Sequence, residues 1–102
     1  MEVKYELMPS GLYIYLKGEL DDCTSEKARE RIDSIIEKCG NVRAVIFNLK
    51  YLSFMDSTGI GMIIGRYKKL KKNKIAVYIE NPSFCADKVF QTSGIYSLIP
   101  KI

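Results

Sequence analysis

Histidine is missing from all 102 residues. Its absence excludes Ser-His and Cys-His catalysis, histidine-ligated metals and a histidine phosphorelay together. Tryptophan is missing too, and cysteine is scarce. Cys23, Cys39 and Cys85 are odd in number and widely spaced, which fits neither a paired disulfide framework nor a C-x-x-C zinc site. They are expected to be free, structural thiols of a reducing compartment. No apolar run reaches the roughly 18 residues of a membrane span. The N-terminal MEVKYELM alternates in polarity instead of presenting a signal peptide. A cytoplasmic chain with no membrane partner is expected.

What is present is enough for one folded unit. Apolar residues make up 47% of the chain, and this length is near the point where a hydrophobic core can support itself without disulfides or metals. With no internal repeat, linker or low-complexity stretch, residues 1–102 read as a single domain. The net charge of +4 is unevenly placed. Arg66, Lys68, Lys69, Lys71, Lys72 and Lys74 take six of the sixteen basic residues, leaving ten against twelve acids elsewhere. One stretch is basic, the remainder slightly acidic.

Val3, Tyr5 and Leu7 alternate with polar residues, and the run Leu12 to Leu16 follows Pro9-Ser10-Gly11, a pattern for a hairpin. From Thr24 to Cys39, Ala28, Ile32, Ile35, Ile36 and Cys39 recur at helical spacing, with Asp22, Thr24 or Ser25 as N-cap and Gly40 as the stop. Val42 to Leu49 contains the continuous apolar run expected of a central strand. A second helix is predicted over Ser57 to Lys72 with Ile60, Ile63, Ile64, Tyr67 and Leu70 inward. Another strand is predicted at Ile75 to Ile79. Asn81-Pro82 then opens a helix carrying Val89 and Phe90 inward, and Ile95 to Ile99 is a short final strand. The order β-β-α-β-α-β-α-β predicts an α/β domain with a mostly parallel sheet and helices packed on it.

The turn Asp56-Ser57-Thr58-Gly59 is richer in polar groups than a helix start requires. Any one of Asp56, Ser57 and Thr58 satisfies the orphan amides for about 1 kcal/mol; the others are left over. Gly61 and Gly65 fall inside the helix, where each costs roughly 0.8 to 1 kcal/mol relative to alanine. Four residues apart, they bare backbone on one face, which either a neighbouring element or a partner protein approaches. The glycine spacing is not that of a dinucleotide fingerprint, and no Gly-Lys-Ser/Thr is present for a Walker A loop. Nor is there a Gly-x-Ser-x-Gly elbow. Phosphorylation has a clear physical logic at such a turn: a helix N-terminus accepts negative charge, while about −1.5 to −2 charges and added bulk change the surface. A partner's docking can thus be abolished with the fold intact.

The segment Asn48-Leu49-x-x-Leu52-Ser53-Phe54-Met55-Asp56-Ser57-Thr58-Gly59-Ile60-Gly61, continuing through Ile64-Gly65-Arg66-Tyr67-Lys68, closely resembles the signature of bacterial anti-sigma factor antagonists of the STAS-domain family. Gly18-Glu19-Leu20-Asp21 resembles the family's loop after the second strand, and Phe90-x-x-Ser93-Gly94-Ile95 its last helix and strand. The matches come in family order, and the Phe-Met-Asp-Ser-Thr-Gly and Gly-Arg-Tyr-Lys segments look most like the sporulation branch. The resemblance implies a STAS fold, a single mostly parallel sheet with helices largely on one face, and Ser57 as phosphoacceptor. It implies Asp56, Thr58 and Gly59 as the turn around that serine, and Asp21 as an acidic loop residue near it. Asp21 reads equally well as a cap or turn acid of the first helix. Gly61, Met62 and Gly65 are implied on or near a partner-facing surface. The implied partners are an anti-sigma factor that is also an ATP-dependent serine kinase, and a metal-dependent serine phosphatase; no cofactor, metal or catalytic residue is implied. Family members commonly continue past the last strand into a further C-terminal helix, whereas this sequence stops at Ile102. Exposure of Val89, Leu98 or Ile99 is the expected result.

Two rivals remain. The basic stretch 66–74 suits a nucleic-acid-binding module, with Tyr67 or Tyr78 stacking on bases, although lysines at a helix C-terminus also complement its dipole. Weak nucleotide binding at the helix start is the other; without a Walker lysine, hydrolysis is not expected.

Overall fold

The computed structural model describes residues 1–102. Strands β1 (Glu2–Met8) and β2 (Gly11–Leu20) form the expected hairpin, antiparallel from Glu2 opposite Lys17 to Met8 opposite Gly11. Helix α1 (Ser25–Cys39) follows, then β3 (Ala44–Asn48), β4 (Leu52–Met55), α2 (Ser57–Lys72), β5 (Ala76–Glu80) and α3 (Phe84–Ser93). A 3-10 turn at Ile95–Ser97 leads to the C-terminal residues.

The sheet is built around β2. Its first half pairs in parallel with β3, Leu12 opposite Val45. Its last residues pair in parallel with β4, Leu20 opposite Met55, after a register shift at Gly18 and Glu19. With β5 parallel to β3, the order is β1-β2-β3-β5 with β4 beyond the end of β3. Strand alternation then sorts the side chains. Leu12, Ile14 and Leu16 of β2, Val45 and Phe47 of β3, and Val77 and Ile79 of β5 pack into one core with Ala28, Ile32 and Ile35 of α1, Ile63 and Leu70 of α2, and Ala86 and Phe90 of α3. Each fully buried large side chain contributes about 1.5–3 kcal/mol relative to exposure. Residues of opposite parity, among them Tyr13, Tyr15 and Tyr78, have no helix over them and stay half-exposed. No helix is long and apolar enough to cross a membrane.

Several boundaries differ from the sequence reading; β2 extends over Gly11–Leu20 and β5 is shifted by one residue to Ala76–Glu80. The stretch Val42 to Leu49 is helix-free but pairs only over Ala44–Asn48. Strand β4 is not legible in the sequence: of its four residues only Leu52 and Met55 are buried, too short a pattern to show alternation. The third helix is capped by Ser83, whose hydroxyl accepts from the Ala86 amide at 3.2 Å, and not by Asn81. The predicted final strand is replaced by the 3-10 turn, and only Lys101 bridges to Ile79 in parallel fashion. The turn has a local cause: Gly94 takes the left-handed conformation at the end of α3, and Ser97 Oγ donates back to its carbonyl at 2.8 Å. Ile99, expected to be left exposed, is fully buried; Leu98 is exposed and Val89 half-buried.

Candidate functional site

The end of β2 and the start of α2 meet at the Asp56 turn. The Asp56 amide donates to the Leu20 carbonyl at 3.3 Å, continuing the β2–β4 pairing by one bond and fixing where α2 begins. Asp56 is extended (φ −118°, ψ −173°), the N-cap conformation, and its Oδ1 accepts from the Gly59 amide at 3.1 Å. One residue therefore does all the capping. Ser57 and Thr58, the first two helical residues, are exposed, and neither hydroxyl makes a hydrogen bond to the protein. The surplus in the sequence is two free hydroxyls at the positive end of a sixteen-residue helix.

Gly59 is demanded by packing. A Cβ there would lie 2.8 Å from the Leu20 carbonyl oxygen and 2.9 Å from its Cγ, so only glycine lets α2 sit this close to β2. Gly61 and Gly65 are different: a Cβ at either meets nothing within 4 Å. No neighbouring element of this chain explains them.

Asp21 is a turn acid. Its Oδ1 accepts from the amides of Cys23 and Thr24, at 2.9 and 3.1 Å. Thr24 occupies the N-cap position of α1 without a side-chain cap bond, its hydroxyl donating to the Glu19 carbonyl instead. This turn lies beside the Asp56 turn, so the two readings of Asp21 are compatible. Asp22 most, then Asp21, with a smaller contribution from Asp56, raise the Cys23 thiol above its ordinary range. Asp21, Asp22 and Cys23 place ligand atoms within 4.8 Å of one another, but one Asp21 oxygen is already engaged in holding the turn.

Strand order, three helices on one face and the free serine at the start of α2 together describe a known architecture, and residues 3–102 match the STAS domain family. This chain is a STAS domain. It is 43% identical over 82 residues to the anti-sigma F factor antagonist of Lysinibacillus sphaericus, a match covering 80% of this chain and 69% of the relative. Among solved structures it is similar to the anti-sigma factor antagonist SpoIIAA in its unphosphorylated form, with a TM-score of 0.79 and 34% identity over 99% of this chain and 88% of that one. It is also similar to the Bacillus cell fate determinant SpoIIAA in the phosphorylated form, with a TM-score of 0.72 and 34% identity over 99% and 91%.

In this STAS domain the expected surface residues separate. Gly61 is exposed and Gly65 half-exposed, whereas Met62, expected on or near a partner-facing surface, is 7% exposed and belongs to the core. An apolar groove of about 590 Å³ flanks Ser57, walled by Phe54, Met55, Ile60, Phe84 and Val89, with Lys88 also in its lining. Phe84 is 84% exposed and Phe54 47%. Neither was singled out from the sequence, though both carry a signal: Phe84 is off the Ala86 and Phe90 stripe of α3, and Phe54 stands beside the acid-serine pair.

The basic stretch of the STAS domain is partly consumed within the fold. Arg66 Nη1 donates to Asp33 Oδ2 at 3.1 Å, joining α2 to α1, and Lys69 stands 3.9 Å from the same carboxylate. Lys71 lies over the Tyr67 ring at 5.6 Å. A cleft of about 670 Å³ runs between the C-terminal ends of α1 and α2, away from Ser57, and Glu37 and Asp33 share its lining with Arg66 and Lys69.

Proposed function

We propose that this STAS domain is an anti-sigma factor antagonist switched by phosphorylation of Ser57. In the unphosphorylated form it docks on an anti-sigma factor that is also an ATP-dependent serine kinase and so frees the sigma factor. Phosphorylation ends docking, and a metal-dependent serine phosphatase restores it. The chain itself is the kinase's substrate and catalyses nothing; the reading places it in the cytoplasm, in sporulation control.

One observation carries this reading: Ser57 is exposed, bonded to nothing, and not needed as a cap because Asp56 serves. Its modification therefore costs the fold no contact. A phosphate there is stabilised by the helix dipole and free amides of α2, but it adds dianionic charge beside Asp56 and at the mouth of an apolar groove. A partner burying the groove and the bare backbone of Gly61 and Gly65 would have to desolvate that phosphate, which is prohibitive without a dedicated cationic partner. The same bare backbone explains why two glycines persist in a helix that they weaken.

The test is to incubate the protein with the anti-sigma kinase and ATP and locate the modified residue by mass spectrometry, which also separates Ser57 from Thr58. Ser57→Ala should bind the kinase and remain unmodified. Ser57→Asp should bind more weakly, though a carboxylate carries less charge than phosphate. Equal binding by both variants, with phosphate still incorporated, would remove Ser57 from this role.

A further inference from the structure

The groove beside Ser57 holds one hydroxyl and one cation that the fold does not use. Asp56, Ser57, Cys85, Lys88, Thr92 and Ser93 supply the polar side chains of its lining, and four of these are engaged within the chain. Asp56 Oδ1 accepts from the Gly59 amide, and Cys85 Sγ donates to the Leu52 carbonyl. The Thr92 and Ser93 hydroxyls donate to the carbonyls of Lys88 and Phe90 inside α3. The Ser57 hydroxyl and the Lys88 ammonium are left, and both residues are exposed. Lys88 makes no ion pair; its ammonium stands over the Phe84 ring, 5.7 Å from the centroid.

This placement follows from the fold. Helix α2 starts just past β4, and α3 packs against β4, so the first turn of α2 and α3 contribute opposite walls of one groove. Phe84 and Lys88 are one helical turn apart on α3, which lets the lysine lie along the ring. An ammonium over a ring at an exposed site is weakly held, whereas a phosphate carries nearly two charges and three strong acceptor oxygens. Lys88 is the one cation in the lining of the groove. The acids nearby are Asp56, in the same lining, and Asp21 and Asp22 on the adjoining turn.

We propose that Lys88 is the intramolecular counter-ion of a phosphate on Ser57, leaving the Phe84 ring to form a charge-assisted pair across the groove. The inference rests on the reading of Ser57 given above and adds to it a residue of α3. The pair changes what the groove offers a partner. Unmodified, the walls are apolar with a single lysine among them; modified, a charged bridge joins α2 to α3. A partner must then break that bridge or bury both of its ends, and either is costly. Phosphorylation thus closes the groove as well as charging it.

Phosphoserine built into position 57 during synthesis of the full chain makes the test independent of any kinase. The second ionisation of that phosphate, about pH 6 in an ordinary phosphoserine, is followed by phosphorus NMR with Lys88, Lys88→Met and Lys88→Arg. A cation beside the phosphate favours the dianion, so the value with Lys88 should lie below that of Lys88→Met by about 0.2 to 0.7 of a pH unit, as for an exposed ion pair. Lys88→Arg should restore the lower value, and high salt should shrink the difference. Asp56, Asp21, Asp22 and the helix dipole are common to all three proteins, so the difference reports position 88. Equal values in all three, a lower value in Lys88→Met, or no recovery in Lys88→Arg would each overturn the proposal. A kinase that leaves Ser57 unmodified would end the switch proposed above, while this titration still decides the pairing.

Discussion

At Gly59 and Gly61 the same chemical change should have opposite signs. Gly59→Ala forces a methyl against the Leu20 carbonyl at 2.8 Å and should destabilise by about 1–3 kcal/mol, the cost of overpacking. Gly61→Ala enters open space and should stabilise by up to about 1 kcal/mol through helix propensity, while, on the function proposed above, bulkier side chains at Gly61 should weaken docking. Urea unfolding of the two variants measures the first pair of effects directly. Capping gives a second contrast two and three residues upstream. Asp56→Ala should cost about 1 kcal/mol for the lost bond to the Gly59 amide, and Ser57→Ala should stay within about 0.5 kcal/mol of wild type because its hydroxyl holds nothing. Calorimetry on both variants would show whether one residue carries the cap alone.

Between elements, the Asp33–Arg66 pair is the side-chain tie from α1 to α2. The two side chains are 21% and 12% exposed, and Arg29 and Lys69 also stand near Asp33, at 3.7 and 3.9 Å. Asp33→Ala should therefore cost more than an open surface pair, about 1–3 kcal/mol, since Arg66 is left largely buried without its acceptor. The double variant Asp33→Ala/Arg66→Ala should be less unstable than the two single losses added together, a coupling that denaturation of the four-member cycle would reveal. This use of Arg66 also bears on the basic stretch. Its charge is spent partly inside the fold, which leaves the solvated lysines near the end of α2 to complement the helix dipole.

For the molecule as a whole, Asp87 links α3 to the last residues of the chain. It accepts from the Tyr96 hydroxyl at 2.5 Å and from Lys101 at 3.1 Å, and Tyr96 packs edge-on against Phe90. The Tyr96 bond first, and the Lys101 bond next, hold the Asp87 carboxyl below its usual range. A depressed carboxyl stabilises the folded state above its unfolded value, about pH 3.9, and that stabilisation is lost as the pH falls through the lower folded value. The melting temperature of the wild type should accordingly fall more steeply below about pH 4 than that of Asp87→Asn. Thermal scans across that window decide it: parallel curves for the two proteins would mean that Asp87 does not contribute in this way.

Much of this STAS domain was already written in its sequence. Local chemistry set α2 to its observed ends at Ser57 and Lys72, because cap, apolar stripe and basic last turn all agree there, and the hairpin and α1 follow from their own periodicities for the same reason. That Ser57 is surplus to capping was legible because three capping residues stand where one suffices. What the fold alone decided needs distant partners: β4 exists because the far end of β2 offers it a ladder, and Gly59 is fixed by Leu20, thirty-nine positions earlier in sequence. Met62 goes inward while Phe84 and Phe54 build the groove. Periodicity tells which residues share a face of a helix or strand; only the packing of those elements on one another tells which face is covered, and by what.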